Sequence, residues 1–291
     1  MNWLLNPNNT LPILNGLIGD KLAEKNDKWA IQMAFRSRGR NLPMKDLDRN
    51  FMKSTIVFVH GLMADERIWK PFTSLERDFS VLYLRYNSGL HIFENGKLLA
   101  ALLNALCDQF RIKQLYLAGH SMGGLVIRSA CFYGMRSYWV GRIPAIFLIA
   151  VPNAGAPLEK VGHISAAFLN GIAKWHMGTI GNLLEQRSHG IKDLRLGAMR
   201  EEDLKTSPST SHTPVPPNPG TQYHILVGTL SNNEDSLMAK YFGDGLVPTK
   251  SAMPSTLLKV STVKVFVRSG HNSILSNPEV LQYVQRVLGE E

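Results

Sequence analysis

The chain has 291 residues, 44% hydrophobic and 19% charged, a balance that suits one large packed core and excludes a disordered or low-complexity chain. The formal net charge is +9 and the sequence pI about 9.6. The Lys and Arg are scattered, with no run longer than fragments such as Arg36-Ser37-Arg38-Gly39-Arg40, and no recognition motif accompanies them, so nucleic acid is excluded as the expected partner. A solvated basic surface is the plain reading of the charge, and peripheral contact with an anionic membrane surface is the functional one.

In chain order, Met1 to Asn8 has neither a basic start nor an uninterrupted apolar stretch, so no signal peptide is expected. Residues 1–50 read as an N-terminal extension packed on the core, with a helix over Leu14 to Glu24 and a strand near Trp29 to Phe35. Short runs rich in branched and aromatic residues then recur at Thr55 to Val59, Val81 to Tyr86, Gln114 to Ala118, Ala145 to Val151, Tyr223 to Val227 and Val263 to Val267. Helical spacing separates them, as in Leu98, Leu99, Leu102, Leu103, Leu106 and Phe110. Continuous apolar strands alternating with helices predict an α/β fold with a mostly parallel sheet and helices on both faces.

Cys107 and Cys131 fall in such helical stretches, where a free thiol behaves as a small core residue; a reduced, cytoplasmic protein is the simpler expectation. The longest apolar stretches, Ile143 to Val151 and Lys97 to Cys107, fall well short of the roughly 20 residues of a membrane-spanning helix. Residues 153–220 form a long insertion between two predicted strands, too long for a structureless loop. Ile164, Phe168, Ile172 and Trp175 recur in it at helical spacing, Ile180 to Gln186 suits a second short helix, and Thr206 to Gly220 has the composition of an exposed connector. The expected organisation is therefore a core of residues 51–152 and 221–291 carrying a helical cap of residues 153–220. Phe168 and Trp175 are candidate substrate-binding residues on the cap face toward the site.

The chemistry is carried by Gly119-His120-Ser121-Met122-Gly123, which follows a predicted strand and opens the helical stretch Leu125 to Tyr133. A Gly-x-Ser-x-Gly string also arises in ordinary turns. Between strand and helix, however, it lifts the Ser121 hydroxyl out of a sharp turn that only small neighbours tolerate. The N–H of Met122, at the helix start, is placed to donate to a developing oxyanion. An apolar strand running into His60-Gly61-Leu62 offers the N–H of Leu62 as second donor, with His60 as a structural brace. A carboxylate after a later strand completes the set: Asp244, flanked by glycines, with Asp235 as its rival on local sequence. His271 follows the last predicted strand, after both Ser121 and the carboxylates, and a helix begins near Pro278 with Asn277 as its cap. No His/Cys cluster has metal-ligand spacing, and the chemistry needs no cofactor.

Through VHGL at Val59 to Leu62, GHSMGGL at Gly119 to Leu125, VPNAGAP at Val151 to Pro157, GDGLVP at Gly243 to Pro248 and SGHNSIL at Ser269 to Leu275, the sequence resembles the α/β-hydrolase superfamily of lipases and esterases. The GDGLVP and VPNAGAP stretches most resemble those of bacterial lipases and of lipase-like deacylases related to GPI-inositol deacylase. The resemblance covers roughly residues 55 to 290. It implies an α/β-hydrolase fold, a triad of Ser121, Asp244 and His271 that favours Asp244 over Asp235, and an oxyanion hole at the Leu62 and Met122 N–H groups. It also implies hydrolysis of carboxylic esters of lipids or other acyl compounds, through a covalent acyl-enzyme and without a cofactor. Thioester hydrolysis, acyl transfer and a non-catalytic lipid or small-molecule binding module are the alternatives on the same scaffold.

Overall fold

The computed structural model describes residues 7–37, 39–47, 54–156, 187–205, 214–232, 244–245 and 255–289. Phe168, Trp175, Asp235 and the helix expected at Ile180 to Gln186 lie outside them.

The apolar runs form strands β3 (Ser54–Val59), β4 (Ser80–Arg85), β5 (Gln114–His120), β6 (Ala145–Ile149), β7 (Gln222–Gly228) and β8 (Ser261–Phe266). With β1 (Ala34–Ser37) and β2 (Arg40–Asn41) they build one sheet in the order β2-β1-β4-β3-β5-β6-β7-β8. The strands from β3 onward pair in parallel, and β1 pairs antiparallel with β2 and β4.

Alternation along each strand divides the core between the two faces. Val57, Leu117 and Leu148 pack on one face with α2 (Ile92–Gln109) and α3 (Met122–Tyr133). Phe58, Tyr116 and Phe147 pack on the other with the 3₁₀ segment Glu66–Arg77 and α5 (Pro278–Gly289). Both faces are covered, which is why these strands read as unbroken apolar runs. On α2 the buried stripe is Leu99, Leu103 and Leu106, whereas Leu98 points outward at 47% exposure: the α-helical turn carries it off the core face.

The N-terminal helix begins earlier than the sequence suggests. α1 runs Pro7–Glu24 with Pro12 inside it, and departs from helical geometry at Ile18 (φ −140, ψ 19). Its following strand starts at Ala34; Trp29 lies in the turn before it. Asn15 fixes that turn, donating to the carbonyls of Leu11 and Trp29 and accepting from the N–H of Ile31 at 2.8 Å. α1 also packs at the carboxyl edge of the sheet, where Asn87 donates to the Gly19 carbonyl at 2.8 Å and Ser188 donates to the Gly16 carbonyl at 2.7 Å. Arg128 on α3 is buried and bridges two distant segments, donating to Asn153 Oδ1 at 3.0 Å and to the carbonyl of Val215 at 2.9 Å. Burial lowers its pKa to about 10, still far above neutrality.

Helix α4 (His189–Leu196) docks through two histidines. The rings of His91 and His189 stack at 4.0 Å, and His91 donates from Nδ1 to Asp193 Oδ2 at 2.9 Å. Burial pushes the His91 pKa down, but the Asp193 carboxylate, with Glu94 and Asp20 behind it, outweighs burial and raises the pKa above its ordinary value. A raised folded-state pKa means that the stabilisation is fully present below the unfolded value of about 6.5 and is lost as the pH rises through the folded value. His91→Asn keeps a donor but cannot titrate. The wild type is therefore expected to lose stability relative to His91→Asn as the pH rises from weakly acidic to alkaline, measured by urea unfolding. Parallel pH dependences would contradict this linkage.

Candidate active site

The site lies where the chain order reverses across the sheet. β3 has β4 on one side and β5 on the other, so Val59 at the end of β3 lies beside Gly119 in β5. The loops leaving the two carboxyl ends thus diverge around a crevice, the usual ligand position in open α/β sheets.

Ser121 sits between β5 and α3 with φ 52 and ψ −127, a left-sided conformation that costs a non-glycine residue of order 1–3 kcal/mol. The turn holds because it is bonded on both sides: the Ser121 N–H donates to the Ile149 carbonyl and its own carbonyl accepts from Gly124, both at 3.0 Å. It is also crowded. A Cβ on Gly119 would lie 2.6 Å from the Gly124 backbone, and one on Gly123 would lie 2.3 Å from the Val59 carbonyl, so both positions require glycine. The start of α3 directs its N–H groups and the positive end of its dipole at Ser121. The N–H of Met122 is the first of them.

The second expected donor is held by His60. The buried His60 ring stacks on Tyr86 at 4.3 Å. Its Nδ1–H donates to the Gly61 carbonyl at 2.8 Å, its Nε2 accepts the Tyr86 N–H at 3.4 Å, and its own carbonyl accepts the Tyr86 hydroxyl at 2.8 Å. Burial lowers its pKa to about 4, so the ring is neutral with the proton on Nδ1. Because the peptide group is planar and trans, fixing the Gly61 carbonyl also fixes the direction of the Leu62 N–H on the opposite side of the same plane. The N–H of Met63 donates to Ser88 Oγ at 3.1 Å, pinning the far side of the turn. Both His60 ring nitrogens are committed, which agrees with a brace rather than a proton carrier.

With the Leu62 N–H in the oxyanion role expected from the sequence, losing that donor would cost about 10²–10³ in kcat, and His60→Leu would leave the N–H in place but unaimed. The expected result is about a ten- to hundredfold loss of kcat with KM changed less than about twofold, read from steady-state ester kinetics. Unchanged kcat would show that the Leu62 peptide is held by other means.

Asp244 and His271 are brought together directly. His271 Nδ1–H donates to Asp244 Oδ2 at 2.9 Å, and the His271 N–H donates to the Asp244 carbonyl at 3.0 Å. All three candidate side chains are buried, with Ser121 4%, Asp244 3% and His271 7% exposed. The His271 loop follows β8 and is closed by Asn277, which caps α5 through the Glu279 N–H at 2.9 Å and donates to Ser269 Oγ at 2.9 Å.

Residues 56–281 match the Alpha/beta hydrolase family. The chain belongs to that family. No curated protein matches it in sequence. Among solved structures, the family fold is shared with the mature form of lipase BlEst2 from Bacillus licheniformis, at 20% identity over 81% of this chain and 91% of that one, TM-score 0.56. A thermophilic esterase from Thermogutta terrifontis aligns at 17% identity over 89% of this chain and 93% of that one, TM-score 0.49.

Sequence reasoning missed two contributors to this α/β-hydrolase site. Tyr86 was legible only as the end of a strand, and His120 only as the variable residue of the turn motif. Among the described residues, no group of three or more His, Cys, Asp or Glu side chains is placed to hold a metal ion. Among the same residues, no helix is long and apolar enough to cross a membrane.

Proposed function

We propose that this α/β-hydrolase is a serine hydrolase of carboxylic esters, with Ser121 as nucleophile, His271 as general base and Asp244 as the carboxylate that orients the base. The observation that carries the reading is the two-point tether of His271 to Asp244, beside a buried serine in a strained strand-to-helix turn. With the Nδ1 proton committed to Asp244, Nε2 is the bare nitrogen, and it takes the Ser121 proton as Oγ attacks the ester carbonyl carbon. The carbonyl oxygen becomes an oxyanion for which the Leu62 and Met122 N–H groups are the donors. As the alcohol's C–O bond breaks, His271 returns the proton to the leaving oxygen. Water then attacks the acyl-enzyme by the same route and regenerates the Ser121 hydroxyl. Asp244 stays ionised throughout and stabilises the imidazolium.

The substrate class in this reading is an acyl ester of a lipid or small alcohol, and the residue 153–220 insertion serves as the cap over the site, with Phe168 and Trp175 in the acyl pocket. Supporting the cap is topology: residue 153 leaves from the carboxyl edge of β6, beside the crevice. Residues 1–50 act as an extension of the core in this scheme. The basic surface suits peripheral contact with anionic lipid, and the two buried free thiols, Cys107 and Cys131, suit a cytoplasmic setting.

The test is a panel of p-nitrophenyl esters from acetyl to palmitoyl, with a triglyceride, a phospholipid and an acyl thioester beside them. Turnover of at least one carboxylic ester, faster than that of the matched thioester, is expected. A folded protein that turns over none of the carboxylic esters would refute the assignment.

A further inference from the structure

The two hydrogen bonds that His271 makes to Asp244 fix the base to the acid, but neither fixes it to the nucleophile. A third contact does. His120, the residue before Ser121, donates from Nε2–H to the main-chain oxygen of His271 at 2.8 Å, with the two rings 4.9 Å apart and inclined at 49°. A carbonyl accepts only, so the proton is on Nε2. Burial first, and the neighbouring His271 second, lower the His120 pKa to about 3, so the ring is a neutral donor near neutral pH.

The other ring nitrogen shows that packing alone does not account for the residue. Nδ1 is buried without a hydrogen-bond partner among the described residues. An unmatched buried acceptor is destabilising, a cost that an apolar side chain of similar size would avoid. The ring is also central to the site: a Cβ on Gly61 would lie 3.4 Å from His120 Nδ1 and 3.0 Å from Ser121 Cβ. The oxyanion loop, the nucleophile turn and the base loop therefore meet around this one imidazole.

We propose that His120 is a positioning residue for the general base: by bonding the His271 main chain to the residue preceding Ser121, it sets the separation and angle between the imidazole and the Ser121 hydroxyl. The inference rests on the reading of Ser121 and His271 as nucleophile and base. Its energetic weight follows from geometry, since a displacement of about 1 Å between reacting groups can cost about 10²-fold in rate. Substrate binding is untouched by this bond, so the effect belongs in kcat and not in KM.

The experiment compares His120→Leu and His120→Asn, which lack a donor that reaches the His271 oxygen, with His120→Gln, whose amide nitrogen can occupy the position of Nε2. Two rates are measured, alongside urea unfolding: ester turnover, and covalent capture by a small fluorophosphonate. In the second, the Ser121 Oγ–P bond forms, the P–F bond breaks, fluoride leaves and the serine proton passes to His271. The expected result is about a ten- to hundredfold fall in kcat and in capture rate for Leu and Asn, KM within about twofold, and recovery to within about threefold by Gln. Asn decides the matter if Leu does not fold. Rates within about twofold of wild type in both His120→Leu and His120→Asn, or equal losses in Gln and Leu, would overturn the proposal. If wild type captures the fluorophosphonate but turns over no ester, the ester reading fails while the capture rates still decide the role of His120. A wild type that does neither overturns both.

Discussion

Ser121→Ala is expected to remove at least about three orders of magnitude of ester turnover while leaving the melting temperature and far-ultraviolet circular dichroism unchanged or slightly improved. The loss follows from chemistry: without Oγ there is no acyl-enzyme, and only the oxyanion donors and substrate positioning remain to assist direct attack by water. The intact fold follows from the local structure. The turn is held by main-chain bonds to Ile149 and Gly124 and by the close approach of Gly119 and Gly123 to neighbouring backbone, none of which involves the hydroxyl. Alanine meets the same strain as serine at φ 52, so it adds none. Near-wild-type turnover in a folded, contamination-free Ser121→Ala protein would remove Ser121 from the mechanism.

Asp244→Asn is the second large effect, expected at about four orders of magnitude in kcat. The carboxylate accepts the Nδ1 proton of His271 at 2.9 Å. An amide in the same place presents an N–H, drives the imidazole proton to Nε2 and leaves no lone pair there to receive the serine proton. The backbone bond from the His271 N–H to the Asp244 carbonyl survives the substitution, so the loop stays closed and the defect is one of tautomer. Asp235→Asn, by contrast, is expected to be nearly silent. A crippled Asp235→Asn with an active Asp244→Asn would transfer the acid to the other carboxylate.

What the sequence makes legible here is whatever its determinants make local. The β5–α3 turn is readable because an apolar strand, small residues at fixed offsets and a helical stretch are contiguous, and the same holds for the run of β3 into His60-Gly61. The capping of α5 by Asn277 is local too. The parallel core is readable from its unbroken apolar runs, since burial on both faces removes the polar alternation. Contacts between distant segments are another matter. Nothing near residue 120 signals that its ring reaches the carbonyl of residue 271, and nothing near Arg128 signals that it reaches Asn153 and Val215. The start of α1 at Pro7 is not legible from the local pattern, in which Pro12 stands inside the helix. Asp244 is an intermediate case: flanking glycines mark a turn and the GDGLVP resemblance favours it over Asp235, but its hydrogen bond to His271 is a contact between distant segments.

The central claim, that Ser121 is the covalent nucleophile of an ester hydrolase, is tested most directly by trapping the intermediate. Wild-type protein is mixed with a p-nitrophenyl ester that it turns over and quenched in acid during the first turnover, and the acylated peptide is located by mass spectrometry. The predicted result is a burst of p-nitrophenol approaching one equivalent per chain, with the acyl group on the peptide containing Ser121 and absent from the Ser121→Ala protein. An acyl group on a different residue, or a burst of the same size from Ser121→Ala, would contradict the account.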